Sequence, residues 1–204
     1  MNRETRDKFA SGTDQADLTS GNACWETSPA VFDKLSRDFG PFDVDICADA
    51  TRALRPVYFG PGSPYGTDAL RADWQAFGSR GYCNPPYGAF IGKILPKAKD
   101  QAVLRDFTSV FLIPMRVTVA FKRHILSGAS ELLFVDRRLI FWENGAPRYT
   151  FDKKAGKMRD KPDAAMFDSI VVIYRPGVKD EPRVGVWTAP SIEEQAMPRN
   201  VVAA

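Results

Sequence analysis

Apolar segments of strand length alternate with helix-like segments along the chain, and this alternation constrains the fold more than any other feature. Three apolar segments of strand length lie in the second half of the chain, at residues 109–113, 131–135 and 169–174. Between the first two, the sequence VAFKRHIL has the character of a short helix. Strands that alternate with helices indicate an α/β fold, and we predict a mainly parallel sheet flanked by helices.

The first half of the chain begins the same pattern with one helix and one strand. Thr27 or Ser28 before Pro29 is a helix-start signal, because a hydroxyl caps open N–H groups and proline fits the first turn. Apolar residues follow at helical spacing until Gly40-Pro41 ends the helix. The sequence FDVDICADA then alternates apolar and polar residues, which predicts a short strand ending near Asp45.

Composition excludes several classes of protein. The chain has 28 Lys and Arg against 25 Asp and Glu, a net charge of +3, so it is not a histone-like basic protein, although a local basic patch remains compatible with nucleic-acid binding. A single His excludes metal sites built on several histidines, and no metal is predicted. Three Cys without a CxxC pair favour a reducing cytoplasm. No apolar run reaches the roughly 18 residues of a membrane helix.

The chain is predicted to form one main domain. Residues 1–22 are polar and are expected to be a flexible arm. The domain is expected to span residues 23–178, with a basic loop at residues 144–163. Residues 179–204 are expected to form a peripheral tail.

The tetrapeptide Asn84-Pro85-Pro86-Tyr87 carries the strongest chemical signal. It follows the apolar Gly81-Tyr82-Cys83 and precedes a helix predicted from about residue 90 to residue 104. Two adjacent prolines remove two N–H donors and keep the chain out of the α region, so a stiff, extended corner follows the strand. A proline-rich loop with an exposed tyrosine is the alternative interpretation.

This corner suits methylation of an amino group conjugated to a ring or a carbonyl. Such a nitrogen is a poor nucleophile because its lone pair is delocalised. The side-chain oxygen of Asn84 and the carbonyl of Pro85 can accept its two N–H bonds, localise the lone pair and direct it at a methyl donor. The ring of Tyr87 can stack on a base that has left the duplex.

The order of motifs over residues 25–175 resembles the phage-type DNA N6-adenine methyltransferase (Dam) family. The motifs are, in order, Thr-Ser-Pro, VDICADA, TDAL with a following DW, YCNPPYG, VFLIPMR, RRLIFW and FDSIVVIY. The resemblance implies a Rossmann-like S-adenosylmethionine-dependent methyltransferase fold and transfer of a methyl group from S-adenosylmethionine to adenine N6 in double-stranded DNA. A phage-encoded enzyme would act in the host cytoplasm, with restriction-modification as one possible setting.

The resemblance also implies site residues. The catalytic box is Asn84, Pro85, Pro86 and Tyr87. The cofactor-binding set comprises Trp25, Thr27, Asp45, Cys47, Asp68 and Asn84. Asp45 could instead cap a turn and Asp68 could cap a helix. The turn after Asp45 has small residues where related enzymes often have glycines.

Nucleic-acid contacts are predicted for Tyr87 and for basic side chains after the box. The basic residues are Lys122, Arg123, Arg137, Arg138, Lys153, Lys154 and Lys157. A solvated loop is the alternative for the last three. The stretch between Asp68 and Asn84 is too short for a separate recognition domain, so target recognition is expected from later loops or from a partner subunit.

Two other functions remain open from the sequence. The box is also compatible with methylation of an RNA adenine or of a protein glutamine amide. The missing glycine-rich turn is compatible with a catalytically silent DNA-binding module of the same fold.

Overall fold

The computed structural model describes residues 25–177 and 181–198. The predicted flexible arm, residues 1–22, lies outside this part of the chain. Within the described residues, no helix is long and apolar enough to cross a membrane.

Three α-helices and twelve short strands make up the regular structure of the described residues. The helices are α1 (Pro29–Phe39), α2 (Ala89–Arg105) and α3 (Ile192–Ala196). The strands are β1 (Glu26–Thr27), β2 (Val44–Asp45), β3 (Val57–Tyr58), β4 (Arg80–Cys83), β5 (Thr108–Pro114), β6 (Glu131–Val135), β7 (Phe141–Glu143), β8 (Ala146–Pro147), β9 (Phe151–Asp152), β10 (Lys157–Met158), β11 (Ser169–Tyr174) and β12 (Arg183–Trp187). A 3₁₀ turn covers Gln75–Phe77, and a π-helical turn covers Phe121–Ile125.

The main sheet has seven strands in the order β12-β6-β11-β5-β4-β2-β3. Strand β11 is antiparallel to both of its neighbours, β5 and β6. Every other neighbouring pair in this sheet is parallel. The prediction of an α/β fold with a mainly parallel sheet is therefore confirmed.

Helices cover both faces of the sheet. The central strands β5 and β11 are buried on both faces, which explains why their sequences are continuously apolar. Helix α1 packs Val31, Phe32 and Leu35 on one face. Helix α2 packs Ile94, Leu95 and Ala98 on the other, with the π-helical turn beside it.

Two segments differ from the sequence-based expectation. The basic loop at residues 144–163 contains an antiparallel hairpin, in which β9 pairs with β10. The described part of the predicted peripheral tail is built into the fold, because β12 extends the main sheet beside β6 and Gln195 of α3 is fully buried. Gln195 accepts a hydrogen bond from the Ile140 N–H and donates one to the Pro190 carbonyl.

Candidate active site

The strand order places a cleft at one edge of the sheet. After β2 the chain adds β3 on one side and β4 on the other, so the direction of winding reverses at β2. In open α/β sheets, ligands bind beyond the carboxyl ends of the strands at such a reversal. Asp45 ends β2, and Asn84 follows β4 directly. The two predicted residues therefore meet at this edge.

A cavity of about 330 Å³ lies there. Five of the six predicted cofactor-binding residues line it: Trp25, Thr27, Asp45, Cys47 and Asn84. The remainder of its wall combines charged, aromatic, aliphatic and small residues, namely Glu26, Ala48, Asp49, Arg52, Leu54, Phe59, Gly60, Pro61, Ala69, Tyr82, Pro86 and Phe90. Of the predicted catalytic box, Asn84 and Pro86 contribute to this wall, while Pro85 is buried behind it.

The side chain of Asn84 has a defined orientation. Its Nδ2 donates to the Trp25 carbonyl at 2.8 Å and to Thr27 Oγ1 at 3.2 Å. A carbonyl can only accept, so the amide nitrogen must face Trp25 and the amide oxygen must face away. That oxygen, Oδ1, is buried and has no hydrogen-bond partner. An unpaired buried acceptor costs about 1–3 kcal/mol, which a ligand N–H could recover.

Tyr82 is a site residue that the sequence reasoning missed. It precedes Asn84 by two positions on β4, and its hydroxyl is hydrogen bonded to Thr27 Oγ1 at 2.6 Å. Thr27 is held in turn by β1, which pairs with β7 at Phe141. A chain of hydrogen bonds thus joins Tyr82, Thr27 and Asn84. The resemblance pointed to Thr27, but a tyrosine within an apolar strand carried no local signal of this bond.

Asp45 is a buried carboxylate in the cavity wall. It is 3% exposed, and its Oδ2 accepts from the Leu54 N–H at 3.0 Å. Burial raises the pKa of Asp45 to about 6, and the charge of Asp49 adds to this rise, while hydrogen bonds from the Leu54 and Cys47 backbones oppose it. A positively charged ligand next to Asp45 would favour the ionised form of this carboxyl group. The position therefore suits a cationic partner.

Two further carboxylates, those of Asp49 and Glu26, line the same cavity. Asp49 accepts from the backbone and hydroxyl of Thr51 and pairs with Arg52 at 3.1 Å. Arg52 also approaches Glu26 at 3.5 Å. These contacts fix the turn after β2.

Close backbone approach at this turn requires glycine on the neighbouring strand. Gly60, just after β3, has φ +151°, and a Cβ there would lie 2.1 Å from the Ala48 carbonyl oxygen. The turn after β2 thus lies closer to the loop after β3 than any side chain at position 60 would allow.

Asp68 lies beside the cavity but is not among the described residues that line it, whereas its neighbour Ala69 is. Its Oδ1 accepts from the Leu70 N–H at 2.8 Å, and its other oxygen is 3.5 Å from Arg71. Lys97 of α2 donates to the carbonyls of Leu70 and Ala72 and so anchors this loop. In this structure Asp68 organises the turn that bears Ala69.

Tyr87 is held by two aromatic rings. Its ring contacts Phe167 at 5.4 Å and Phe141 at 6.4 Å between centroids, in both cases edge to face. Its hydroxyl is buried without a partner, and burial raises its pKa. Phe141 also contacts the ring of Trp25 at 6.0 Å. The sequence did not identify Phe141 or Phe167, because both contacts bridge distant segments.

A second cavity, of about 170 Å³, adjoins the corner at Tyr87. Tyr87 and Gly88 line it together with residues of α2, the end of β5 and the π-helical turn. Arg116 and Thr118 contribute its polar atoms. Asn84 and Tyr87 of the corner therefore line different cavities.

The predicted DNA-contacting basic residues are exposed and fall in three segments. Lys122 and Arg123 lie in the π-helical turn. Arg137 and Arg138 follow β6 and are paired with Asp136 and Asp168. The third segment is the β9–β10 hairpin, which carries Lys153, Lys154 and Lys157. Among the described residues, no group of three or more His, Cys, Asp or Glu is placed to hold a metal ion.

Comparison with known proteins identifies the family. The profile of the family described as DNA N-6-adenine-methyltransferase (Dam) matches residues 16–196. The chain belongs to this family, as its motifs predicted. Membership implies adenine N6 methylation of DNA in general. Searches of curated proteins and of solved structures find no match.

Proposed function

We propose that this protein transfers a methyl group from S-adenosylmethionine to N6 of an adenine extruded from double-stranded DNA, on a Rossmann-like methyltransferase fold. The buried, unpartnered Oδ1 of Asn84 beside an acidic cavity is the observation that carries the proposal. The reversal of winding at β2 and the single antiparallel strand β11 within the main sheet support the fold assignment.

The first cavity fits the cofactor in size and chemistry. Its volume of about 330 Å³ falls in the range of small-molecule sites. Carboxylates of Asp45, Glu26 and Asp49 suit a ligand with positively charged groups, and the rings of Phe59 and Phe90 suit an adenine base. Trp25, Thr27 and Cys47 complete the binding wall, and Asp68 supports it through its loop. When bound, S-adenosylmethionine supplies an activated methyl group on a sulfonium sulfur.

The corner activates the acceptor by hydrogen bonding. Asn84 Oδ1 accepts one N–H of the adenine amine, and the carbonyl of Pro85 accepts the other. Both acceptors stand on a rigid segment, so they hold the nitrogen lone pair toward the methyl donor without a strong general base. The adenine ring lies on the Tyr87 side of the corner, where the aromatic side chain stacks on it.

The exposed basic residues hold the DNA backbone. Lys153, Lys154 and Lys157 in the hairpin contact phosphates, with Lys122, Arg123, Arg137 and Arg138 in support. Phosphate contacts contribute affinity without sequence information and weaken as salt rises.

A triple variant of the hairpin tests this role. We expect K153A/K154A/K157A to reduce the slope of log affinity against log salt concentration by about 2–3, because each phosphate contact contributes roughly 0.9. Arg105→Ala, at the far end of α2, is a matched control and should leave the slope unchanged. Fluorescence anisotropy with labelled duplex at several salt concentrations measures both. An unchanged slope in the triple variant would remove the hairpin from the DNA interface.

Tyr82→Phe tests the chain of hydrogen bonds that orients Asn84. It retains the buried ring but removes the hydroxyl bonded to Thr27. We expect kcat to fall about tenfold, the equivalent of one buried hydrogen bond, with little change in KM for DNA. Tyr174→Phe is the control, because Tyr174 pairs with Ser109 at the end of β11 away from the corner, and its buried hydroxyl donates to the His124 carbonyl and not to a residue of the Tyr82–Thr27–Asn84 chain. If both variants lost kcat equally, the effect would be one of stability.

The function itself is tested with isotopically labelled cofactor and three acceptors. We expect label in N6-methyladenine when unmethylated duplex DNA of varied sequence is supplied. Label in RNA or in protein glutamine instead would establish one of the alternative acceptors. Calorimetric titration without any cofactor binding would establish a silent module.

A further inference from the structure

Met166 is an apolar side chain in an unusual position. It is 88% exposed, more than any other large apolar residue described. It stands in the connection between β10 and β11, three residues before β11 begins. Exposed apolar residues at single positions are ordinary, so its surroundings decide whether it has a role.

Topology places Met166 at the edge of the sheet that carries the site. Ser169 pairs with Pro114 across the antiparallel β11 and β5, so β11 begins where β5 ends. The Met115 N–H donates to the Asp168 carbonyl at 2.7 Å and continues this pairing beyond the strands. The next residue after Met166 is Phe167, whose ring contacts Tyr87 of the catalytic box. Met166 is thus one residue from a direct contact with the corner.

The backbone around Met166 is anchored on both sides. The N–H of Ala165 donates to the Leu139 carbonyl at 2.8 Å, and Ala165 is buried. Phe167 packs between Tyr87 and Phe141. The exposed side chain therefore projects from a fixed segment, and its insertion into a partner would cost little backbone conformational entropy.

Its neighbours indicate the chemistry of that partner. Val117 and Val119, in the adjoining loop after β5, are 65% and 69% exposed. Arg116 is exposed in the loop after β5. Arg138, exposed in the loop after β6, reaches the Met166 segment through its ion pair with Asp168. In a nucleic-acid duplex, stacked bases lie between two phosphate backbones. An apolar side chain can contact the bases while neighbouring guanidinium groups contact the phosphates.

We propose that Met166 inserts into duplex DNA beside the target adenine and fills the space that the extruded base leaves. This proposal rests on the proposed function. Extruding a base removes its stacking, and an apolar wedge between base steps is a known means of stabilising the opened duplex. The wedge holds the gap open while Asn84 and Tyr87 engage the base.

The experiment compares paired and weakened targets for Met166→Ala. The duplexes carry an adenine that wild-type protein methylates, paired either with thymine or with an abasic site. We expect the single-turnover rate of the variant to fall about tenfold on the paired target. On the abasic duplex, where extrusion costs less, the variant should come within about twofold of wild type. Met166→Leu should retain most of the rate on both.

Leu104→Ala is the matched control. Leu104 is 73% exposed and lies at the far end of α2, roughly 22 Å from its first residue. It should leave both rates unchanged. Equal rates for Met166→Ala and wild type on the paired duplex, or an equal loss on both duplexes, would overturn the wedge. Failure of wild type to methylate any DNA would instead overturn the proposed function.

Discussion

Asn84→Ala should lower methyl transfer by at least about 100-fold while cofactor affinity stays within a few fold of wild type. The lost group is the amide oxygen that accepts the adenine N–H, and removing one preorganised hydrogen-bonding group from an active site costs about this much. The cofactor keeps its contacts with the rest of the cavity wall, including Asp45 and Phe59. Single-turnover methylation and calorimetric titration measure the two quantities separately.

The Asn84 side chain also has a structural role that the alanine variant would remove. Asn84 donates to the Trp25 carbonyl and to Thr27, so the alanine variant could loosen the segment before α1. Parallel losses of transfer and of cofactor binding would mean that Asn84 supports the fold of the cavity and does not act on the acceptor. Thermal unfolding of the cofactor-free variant distinguishes a local change from general destabilisation.

Asp45→Asn should weaken cofactor binding by about 10–100-fold at neutral pH. The substitution keeps the shape of the side chain and removes a buried negative charge, and hydrogen bonds to charged groups contribute about 1.5–3 kcal/mol. Asp45 is buried, so solvent screens its charge only weakly. Calorimetry at pH 7.5 measures the change. Wild-type affinity in the variant would place the positive end of the cofactor elsewhere.

The pH dependence of Asp45 gives an independent check. Its pKa is raised to about 6 from the ordinary aspartate value of 3.8. A raised carboxyl pKa contributes stability that is complete below the unfolded pKa and is lost as pH rises through the folded one. The free energy of unfolding of the cofactor-free protein should therefore decrease from about pH 4 to pH 6, and Asp45→Asn should remove this decrease. Wild-type cofactor affinity should run the opposite way and weaken below about pH 6.

Local sequence patterns were sufficient to predict those site residues that lie at the end of a strand. Asp45 and Asn84 each follow a recognisable strand, and parallel strands end at the same edge, so their proximity was predictable. The helix from Pro29 and the central strands β5 and β11 were equally visible, because their apolar character is continuous or helically spaced.

Long-range pairings account for what the sequence could not predict. The bond between Tyr82 and Thr27 joins β4 to β1, and the ring of Phe141 joins β7 to the corner. Neither depends on residues that are neighbours in sequence. Strand β12 was missed for another reason: as an edge strand it buries Trp187 while Val184 and Val186 remain exposed, so its sequence reads as a surface segment.

The hairpin and Met166 belong to one excursion of the chain, residues 148–168. It begins after β8, in the three-stranded sheet β1-β7-β8, and ends at the start of β11. No strand of the main sheet lies within it. Changes in its length or composition would therefore add to the surface without shifting the register of β4 or β5, on which the corner depends. Variation in this excursion would therefore alter the surface beside the corner and leave the acceptor groups of Asn84 and Pro85 in place.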